Sequence, residues 1–379
     1  MFTPIAIIPK TLLPQLVVRF VVVFACVAAL LFSACGCAQG QSNSQEGASS
    51  TSLVSSASEG SSDEIFADTS PDDLALSERS SSASSASSAS SASASSVSSA
   101  SSSAAHTAST PLEKAWEADF KRLAKASGMD VSVSALNPVT GESVTYRSDK
   151  KMLSASMIKL LIAEAFLNQV SEGKHKLEDT YTLKESDIVG GTGSLGGRGA
   201  GAKVTKREML KLMIAESDNV AANVLIDLCG MDAINAEAKR LGLKETKLGR
   251  HMMDTEAAEK GHDNYTSADD LMVLLKMVYD KTFVNEKMSA FMLECLKAQT
   301  DSTCISQGLP SGTVFAHKTG SLPTVRHDGG IVEGKTPFII VALCGGKGFG
   351  AGNAQDTMAE IGKAAYEDIQ ETSKETGGK

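Results

Sequence analysis

Apolar and polar residues alternate along "DVSVSALNPVTGESVTYR" (130–147), on both sides of Asn137-Pro138 and Gly141. That period of two, with turn residues in the middle, predicts a β-hairpin. The pattern then changes to helical spacing. "SMIKLLIAEAFLNQVSEG" (156–173) predicts a helix that begins near Ser156 and stops at Gly173. "TKREMLKLMIAESDNVAANVLIDLCG" (205–230) reads as two helices with a break at "ESDN". "SADDLMVLLKMVYD" (267–280) and "EKMSAFMLECLKAQ" (286–299) are two further amphipathic helices. "GTVFAHKTGS", "RHDGGIVEG" and "PFIIVALCGG" then predict three strands joined by turns. Strands at both ends and helices between them imply an α+β fold in which the terminal strands share one sheet.

The first 110 residues follow neither period. Lys10 and Arg19 precede the apolar run "FVVVFACVAALLFSACGCAQG", which ends in small residues. A positive flank, an apolar core and a small-residue end describe a secretory signal. "FSAC" resembles a bacterial lipobox, which makes Cys35 the candidate for lipidation and Cys37 a poorer second. A transmembrane anchor is the alternative, because the run approaches the ~20 residues that a span needs. Either way the rest of the chain is expected outside the cytoplasm. Residues 36–110 are dominated by Ser and Ala, as in "SSSASSASSASSASASSVSSASSS". Such a segment cannot bury enough apolar surface to offset its ordering entropy and is expected to be a disordered tether. The expected organisation is a lipoprotein-type signal at 1–35, a tether at 36–110 and one folded domain at 111–379.

A formal charge of −9 argues against a nucleic-acid binder. Cys229, Cys295, Cys304 and Cys344 all sit in apolar stretches, as buried thiols do; Cys295–Cys304 is the pair that a bridge would use. The histidines form no zinc-binding cluster, so no metal is expected. "GTGSLG" (191–196) matches G-x-G-x-x-G but lacks the strand before it and the helix after it. It is expected to be a mobile loop, and no nucleotide or other cofactor is implied.

Three serines precede a lysine by three residues: Ser148–Lys151, Ser156–Lys159 and Ser171–Lys174. Such a pair shares one face only within a helix. The first lies where the hairpin runs out, and the third straddles Gly173. Only Ser156 opens an apolar helix, where the N-terminus favours developing negative charge. Lys159, among Met157, Ile158, Leu160 and Leu161, would have its pKa lowered by desolvation. A neutral amine beside a hydroxyl makes a nucleophile–base pair; the plainer reading is a capping serine followed by a surface lysine.

Two later motifs weigh against the plainer reading: "SDN" (Ser217, Asp218, Asn219) at a helix break and "KTG" (Lys318, Thr319, Gly320) on a strand. Ser-x-x-Lys, Ser-Asp-Asn and Lys-Thr-Gly, in that order, resemble the active-site serine β-lactamases and penicillin-binding proteins. "ESDNVAANVLI" and "GLPSGTVFAHKTGS" are similar to class A in particular. The resemblance spans 111–379. It implies a two-lobed β-lactamase/transpeptidase-like domain, with an antiparallel sheet flanked by helices and an all-α lobe. It implies Ser156 as nucleophile, Lys159 as base or proton relay, and Ser217 as the donor toward the leaving nitrogen. Asn219 would hold the substrate's side-chain amide, and Lys318 and Thr319 its carboxylate. The backbone amides of Ser156 and Ser321 would form the oxyanion hole. Arg326 would be a second carboxylate ligand.

The chain departs from class A in one loop. The family's Arg-x-Glu-x-x-x-Asn, whose glutamate activates the deacylating water, matches "RHMMDTE" here. Arg250 fits and is expected to staple the loop through Asp263. Met252 stands at the glutamate position and Glu256 at the asparagine position, which makes Glu256 the candidate replacement base. The expected function is opening of β-lactam amides through an acyl-serine, with deacylation in question. A peptidoglycan D,D-peptidase-like hydrolase and a penicillin-binding or sensing module that stays acylated are the alternatives. The expected partners are a small β-lactam or peptidoglycan-like substrate and, through a lipid, the membrane; a monomer is expected.

Overall fold

A computed structural model describes residues 108–377. The expected signal, Cys35 and all but the last three residues of the tether lie outside the described residues. Helix α1 (Pro111–Ser127) starts at a capping box. The Thr110 hydroxyl accepts from the Glu113 amide, while the Glu113 carboxylate accepts from the Thr110 amide. Strands β1 (Asp130–Leu136) and β2 (Ser143–Tyr146) form the expected hairpin. The short strand β3 (Met152–Leu153) leads into a 3-10 turn, Ala155–Ile158, and then α2 (Lys159–Ser171). The helix expected from Ser156 therefore opens with one tighter turn.

A small ribbon, β4 (Thr180–Thr182) with β5 (Lys203–Thr205), precedes α3 (Lys206–Ala215), α4 (Asn219–Cys229) and α5 (Met231–Arg240). The short α6 (Thr255–Glu259) and β6 (Tyr265–Thr266, paired with β3) come next, followed by α7 (Ala268–Tyr279), α8 (Glu286–Lys297) and the single turn α9 (Ile305–Gly308). Strands β7 (Phe315–Leu322), β8 (Val325–Val332) and β9 (Phe338–Gly345) and the long helix α10 (Ala351–Gly377) complete the chain.

The main sheet is antiparallel with order β2-β1-β9-β8-β7. The hairpin from one end of the domain thus joins the strands from the other, with Val133 opposite Ala342. Strand β9 is buried on both faces, which is why its sequence is a continuous apolar run. Ile339, Val341 and Leu343 face a core shared with α2, α3, α4, α7 and α8. Phe338, Ile340, Ala342 and Cys344 face a second core with Trp116 and Phe120 of α1 and Met358 and Ile361 of α10. The fold is the two-lobed α+β one, and β7 is the edge strand left facing the head of α2.

All four cysteines of the described residues are free and buried.

Candidate functional site

Strand β7 comes unusually close to the 3-10 turn. A Cβ on Gly320 would stand 3.2 Å from the Met157 amide nitrogen and 3.2 Å from the Ala155 Cβ. Glycine at that position lets the sheet edge and the turn meet, and so brings Lys318 toward Ser156. Ala155 has φ of +47° and Ser217 has φ of +56°. Non-glycine residues held in this region store strain and gather at functional sites. Here one precedes Ser156 and the other is Ser217 itself, the two serines that Lys159 reaches.

Lys159 sits between them with no solvent exposure. Its Nζ lies 2.6 Å from the Ser217 carbonyl, 2.8 Å from Asn219 Oδ1, and 3.2 Å from each of the Ser156 and Ser217 hydroxyls. Burial pushes its pKa well below the usual lysine value; the charge of Lys318 pushes the same way, and Asp218 opposes them. A neutral amine has two N–H bonds and one lone pair. The carbonyl and Asn219 Oδ1 can only accept, so they take both N–H bonds. The lone pair is then left for the hydroxyls.

The chain continues through Ser217 Oγ to Lys318 Nζ at 3.0 Å. Lys318 also donates to the Thr319 carbonyl at 2.6 Å and is wholly buried. Burial lowers its pKa to about 7, although Asp328 and Asp301 favour its charged form. Ser156, Lys159, Ser217 and Lys318 thus form one connected path along which a proton can pass. The Ser156 amide lies in the first turn of a helix, where amides have no intrahelical partner. Ser321, exposed, follows Gly320 on the edge strand. Among the other two serine–lysine pairs, Ser148 is buried beyond the hairpin, and Lys174 pairs with Glu172.

Asp218, to which the sequence assigned no role, ties two pieces together. It caps α4 through the Ala221 amide at 2.8 Å and accepts from the Leu195 amide at 2.7 Å. The glycine-rich "GTGSLG" segment is therefore packed against the SDN residues, not free as expected. A Cβ on Gly193 would fall 2.1 Å from Asp218 Oδ2. Thr192 donates to the Ser217 carbonyl at 2.6 Å, and Asn219 donates to the Gly190 carbonyl at 3.1 Å. Those contacts are not legible in the loop's own residues. Asp218 does carry one signal, as an N-cap residue type at a helix start.

These residues open onto a cleft of about 660 Å3 lined by Ser156, Ser217, Asn219, Thr319 and Ser321, among others. Met252 lies in its wall, buried, and Arg250 staples the loop to Asp263 at 2.9 Å as expected. Glu256 is placed elsewhere. It is the second residue of α6, its side chain is 79% exposed, and it pairs with Lys260. Thr255, its neighbour, lines the cleft, but Glu256 does not. The expectation that Glu256 supplies the base is corrected by this geometry, since the helical turn carries its carboxylate to solvent. Arg326, on β8, does not line the cleft either. Its guanidinium donates to the Thr303 hydroxyl at 2.7 Å and the Cys304 sulfur at 3.0 Å, and lies 3.7 Å from Asp301. Asp301, which sequence reasoning misses, does line it.

The model of the β-lactamase enzyme family matches residues 115–369. Among curated relatives, β-lactamase Toho-1 of Escherichia coli is 29% identical over 209 residues, covering 54% of this chain and 71% of that one. β-Lactamase L2 of Stenotrophomonas maltophilia is 24% identical over 267 residues, covering 68% and 88%. The crystal structure of a β-lactamase from Sphaerobacter thermophilus aligns with a TM-score of 0.62 at 25% identity over 68% of this chain and 97% of that one. The structure of PBP-A aligns at 0.64, with 22% identity over 70% and 99%, a likeness of fold. With more than half of its length matched by that model, the chain belongs to the β-lactamase enzyme family.

Proposed function

We propose that this chain is a class A-like serine hydrolase that acylates rapidly and deacylates slowly. The observation that carries the reading is the buried Lys159, whose Nζ lies 3.2 Å from the Ser156 hydroxyl and whose burial disfavours its charged form. Ser156 Oγ attacks the carbonyl carbon of a strained or D-amino-acid amide, and its proton passes to Lys159. The carbonyl oxygen takes the negative charge, facing the amides of Ser156 and Ser321; each such donor typically contributes ~3–4 kcal/mol. The C–N bond then breaks. Ser217 protonates the leaving nitrogen and is reprotonated from Lys159 or Lys318. An ester of Ser156 remains.

Hydrolysis of that ester needs a base to take a proton from water. Met252 cannot serve, and Glu256 faces solvent. The slow-release reading therefore has more support than rapid β-lactam turnover. The export signal, the lipid on Cys35 and the tether complete the proposal: an enzyme leashed outside the cytoplasm. Their support is sequence alone.

Mixing the protein with excess chromogenic cephalosporin, with intact mass followed in parallel, tests the reading. A burst of about one equivalent and a persistent adduct on Ser156 are expected. Ser156→Ala should abolish the adduct, while Ser148→Ala and Ser171→Ala should not. Sustained turnover would refute slow release, and an adduct that survives Ser156→Ala would refute the nucleophile.

A further inference from the structure

The charged side chains that line the cleft are mostly acidic, while its two lysines lie beneath them. Four charged side chains line it: Glu216, Arg250, Asp263 and Asp301. Arg250 is taken by Asp263. Lys159 and Lys318 lie beneath the surface with no exposure. Asp301 lines the cleft beside the Thr319 side chain, and its own side chain is 35% exposed.

Asp301 is built to stay ionised. Its Oδ1 accepts from the Thr303 amide at 3.1 Å and from the Thr303 hydroxyl. Burial works against ionisation, but the Thr303 groups, Arg326 and the Thr319 hydroxyl outweigh it and hold the carboxyl below its usual range. Arg326, the cation expected to receive a substrate carboxylate, spends its charge on Asp301 and its N–H groups on Thr303 and Cys304. Thr319 faces the same carboxylate.

We propose that Asp301 makes this cleft selective for acyl donors that carry a neutral or cationic nitrogen donor, an amide N–H or an ammonium, where β-lactams carry a carboxylate. This rests on the acylation of Ser156 proposed above. A carboxylate bound beside Thr319 would meet Asp301 at short range with its counter-charge already engaged. An amide or ammonium there would instead donate to Asp301 Oδ2, the oxygen that Thr303 does not occupy and from which Arg326 stands 3.7 Å away. Like charges a few ångströms apart in a half-buried cleft weaken binding by ~10-fold or more.

The test compares three probes: a penicillin, the same penicillin with its carboxylate converted to a primary carboxamide, and a fluorophosphonate. The fluorophosphonate needs only a reactive serine. The second-order rate of adduct formation on Ser156 is followed by intact mass for the wild type and Asp301→Asn. The wild type should react faster with the carboxamide than with the parent penicillin. Asp301→Asn should raise the rate with the carboxylate by ~10-fold and lower the rate with the carboxamide, so that the wild-type preference for the carboxamide is lost. On the wild type itself, added salt should speed the carboxylate reaction and not the carboxamide reaction, because screening weakens repulsion. That readout stands even if the variant is unstable. Fluorophosphonate labelling with no carboxamide preference, or no gain for the carboxylate in Asp301→Asn, overturns the Asp301 proposal alone. Failure of all three probes to modify Ser156 overturns the acylation reading, and this proposal with it.

Discussion

Met252 and Asn223 hold each other by two backbone–side-chain hydrogen bonds. The Met252 amide donates to Asn223 Oδ1 at 2.7 Å, and Asn223 Nδ2 donates to the Met252 carbonyl at 3.1 Å. The main chain at 252 is therefore fixed by a residue of α4, whatever side chain it carries. A thioether there closes the wall of the cleft but accepts no proton from water. Met252→Glu keeps the clamp and adds a carboxylate at the place where the resemblance puts a glutamate. General-base assistance typically supplies ~10²–10⁴-fold. The variant should release its acyl group faster by that order, with acylation little changed. Adduct lifetime by intact mass after removal of excess substrate checks this.

The exposed position of Glu256 leads to the opposite expectation. Its partner is Lys260, four residues on in the same short helix, and surface pairs of this kind contribute ~1 kcal/mol or less. Glu256→Gln should leave both acylation and deacylation within about twofold of wild type. A tenfold slowing of release, read in the same lifetime measurement, would restore Glu256 as the base.

The packed glycine loop makes a stability prediction. Gly193 has φ of +104°, and any Cβ there would collide with Asp218. Gly193→Ala should cost ~2–3 kcal/mol in backbone strain and displaced capping. It should also slow acylation, because Asp218 anchors the segment carrying Ser217 and Asn219. Urea denaturation and the burst rate with a chromogenic cephalosporin measure the two effects.

Much of the fold is legible because its period changes cleanly. The β1–β2 hairpin shows the alternation of a sheet and β9 the continuous apolar run of a strand buried on both faces, while α3, α7 and α8 show helical spacing and α2 and α4 are apolar nearly all round. Helix α10 does not stand out in the same way. The buried face of α10 is built largely from small residues, Ala354, Ala364 and Ala365 beside Met358 and Ile361, which dilutes the apolar signal. The SxxK, SDN and KTG residues are legible as motifs, and the fold brings Ser156, Lys159, Ser217, Asn219 and Lys318 into contact. Asp301 is not, because it sits in an irregular loop whose place beside Thr319 is set by the packing of the sheet edge. Glu256 misleads for a related reason: which way one residue of a short helix faces is decided by rotation about the helix, not by its place in a motif.

The two lysines predict a split in pH dependence. Lys318, with a pKa near 7, is charged below that pH and neutral above it. Apparent affinity for a penicillin carboxylate should fall as pH rises from 6 to 8, while affinity for the carboxamide should stay flat. Lys159 must be neutral to act as base, so the maximal acylation rate should rise with pH until that amine is deprotonated. Saturation kinetics of adduct formation at each pH separate the two effects.

His327 makes the last prediction, and it concerns the support of the segment that carries Ser156. It lies in β8, fully buried, with Nε2 2.7 Å from the carbonyl of Leu153, three residues before Ser156. A carbonyl only accepts, so Nε2 carries the proton and donates. Nδ1 is buried with no hydrogen-bond partner, and a second proton there would put charge into the core at a desolvation cost that the backbone of Leu153 and Arg326 only partly offsets. Desolvation accordingly lowers the pKa from the ordinary histidine value of 6.5 to about 4. Between those two values the unfolded chain binds a proton that the folded chain refuses. The unfolded state therefore gains as pH falls, and stability is lost from about pH 6.5 down to about pH 4. At ~1.4 kcal/mol per pH unit, the loss across that window is about 3 kcal/mol. His327→Asn cannot titrate, and its amide retains a donor for Leu153. Urea denaturation at pH 7 and pH 4.5 should show a smaller acid-induced loss in the variant than in wild type, by about 2–3 kcal/mol. Equal losses in the two proteins would mean that carboxylates held below their ordinary range, Asp301 and Asp130 among them, and not His327, set the acid limit of the fold.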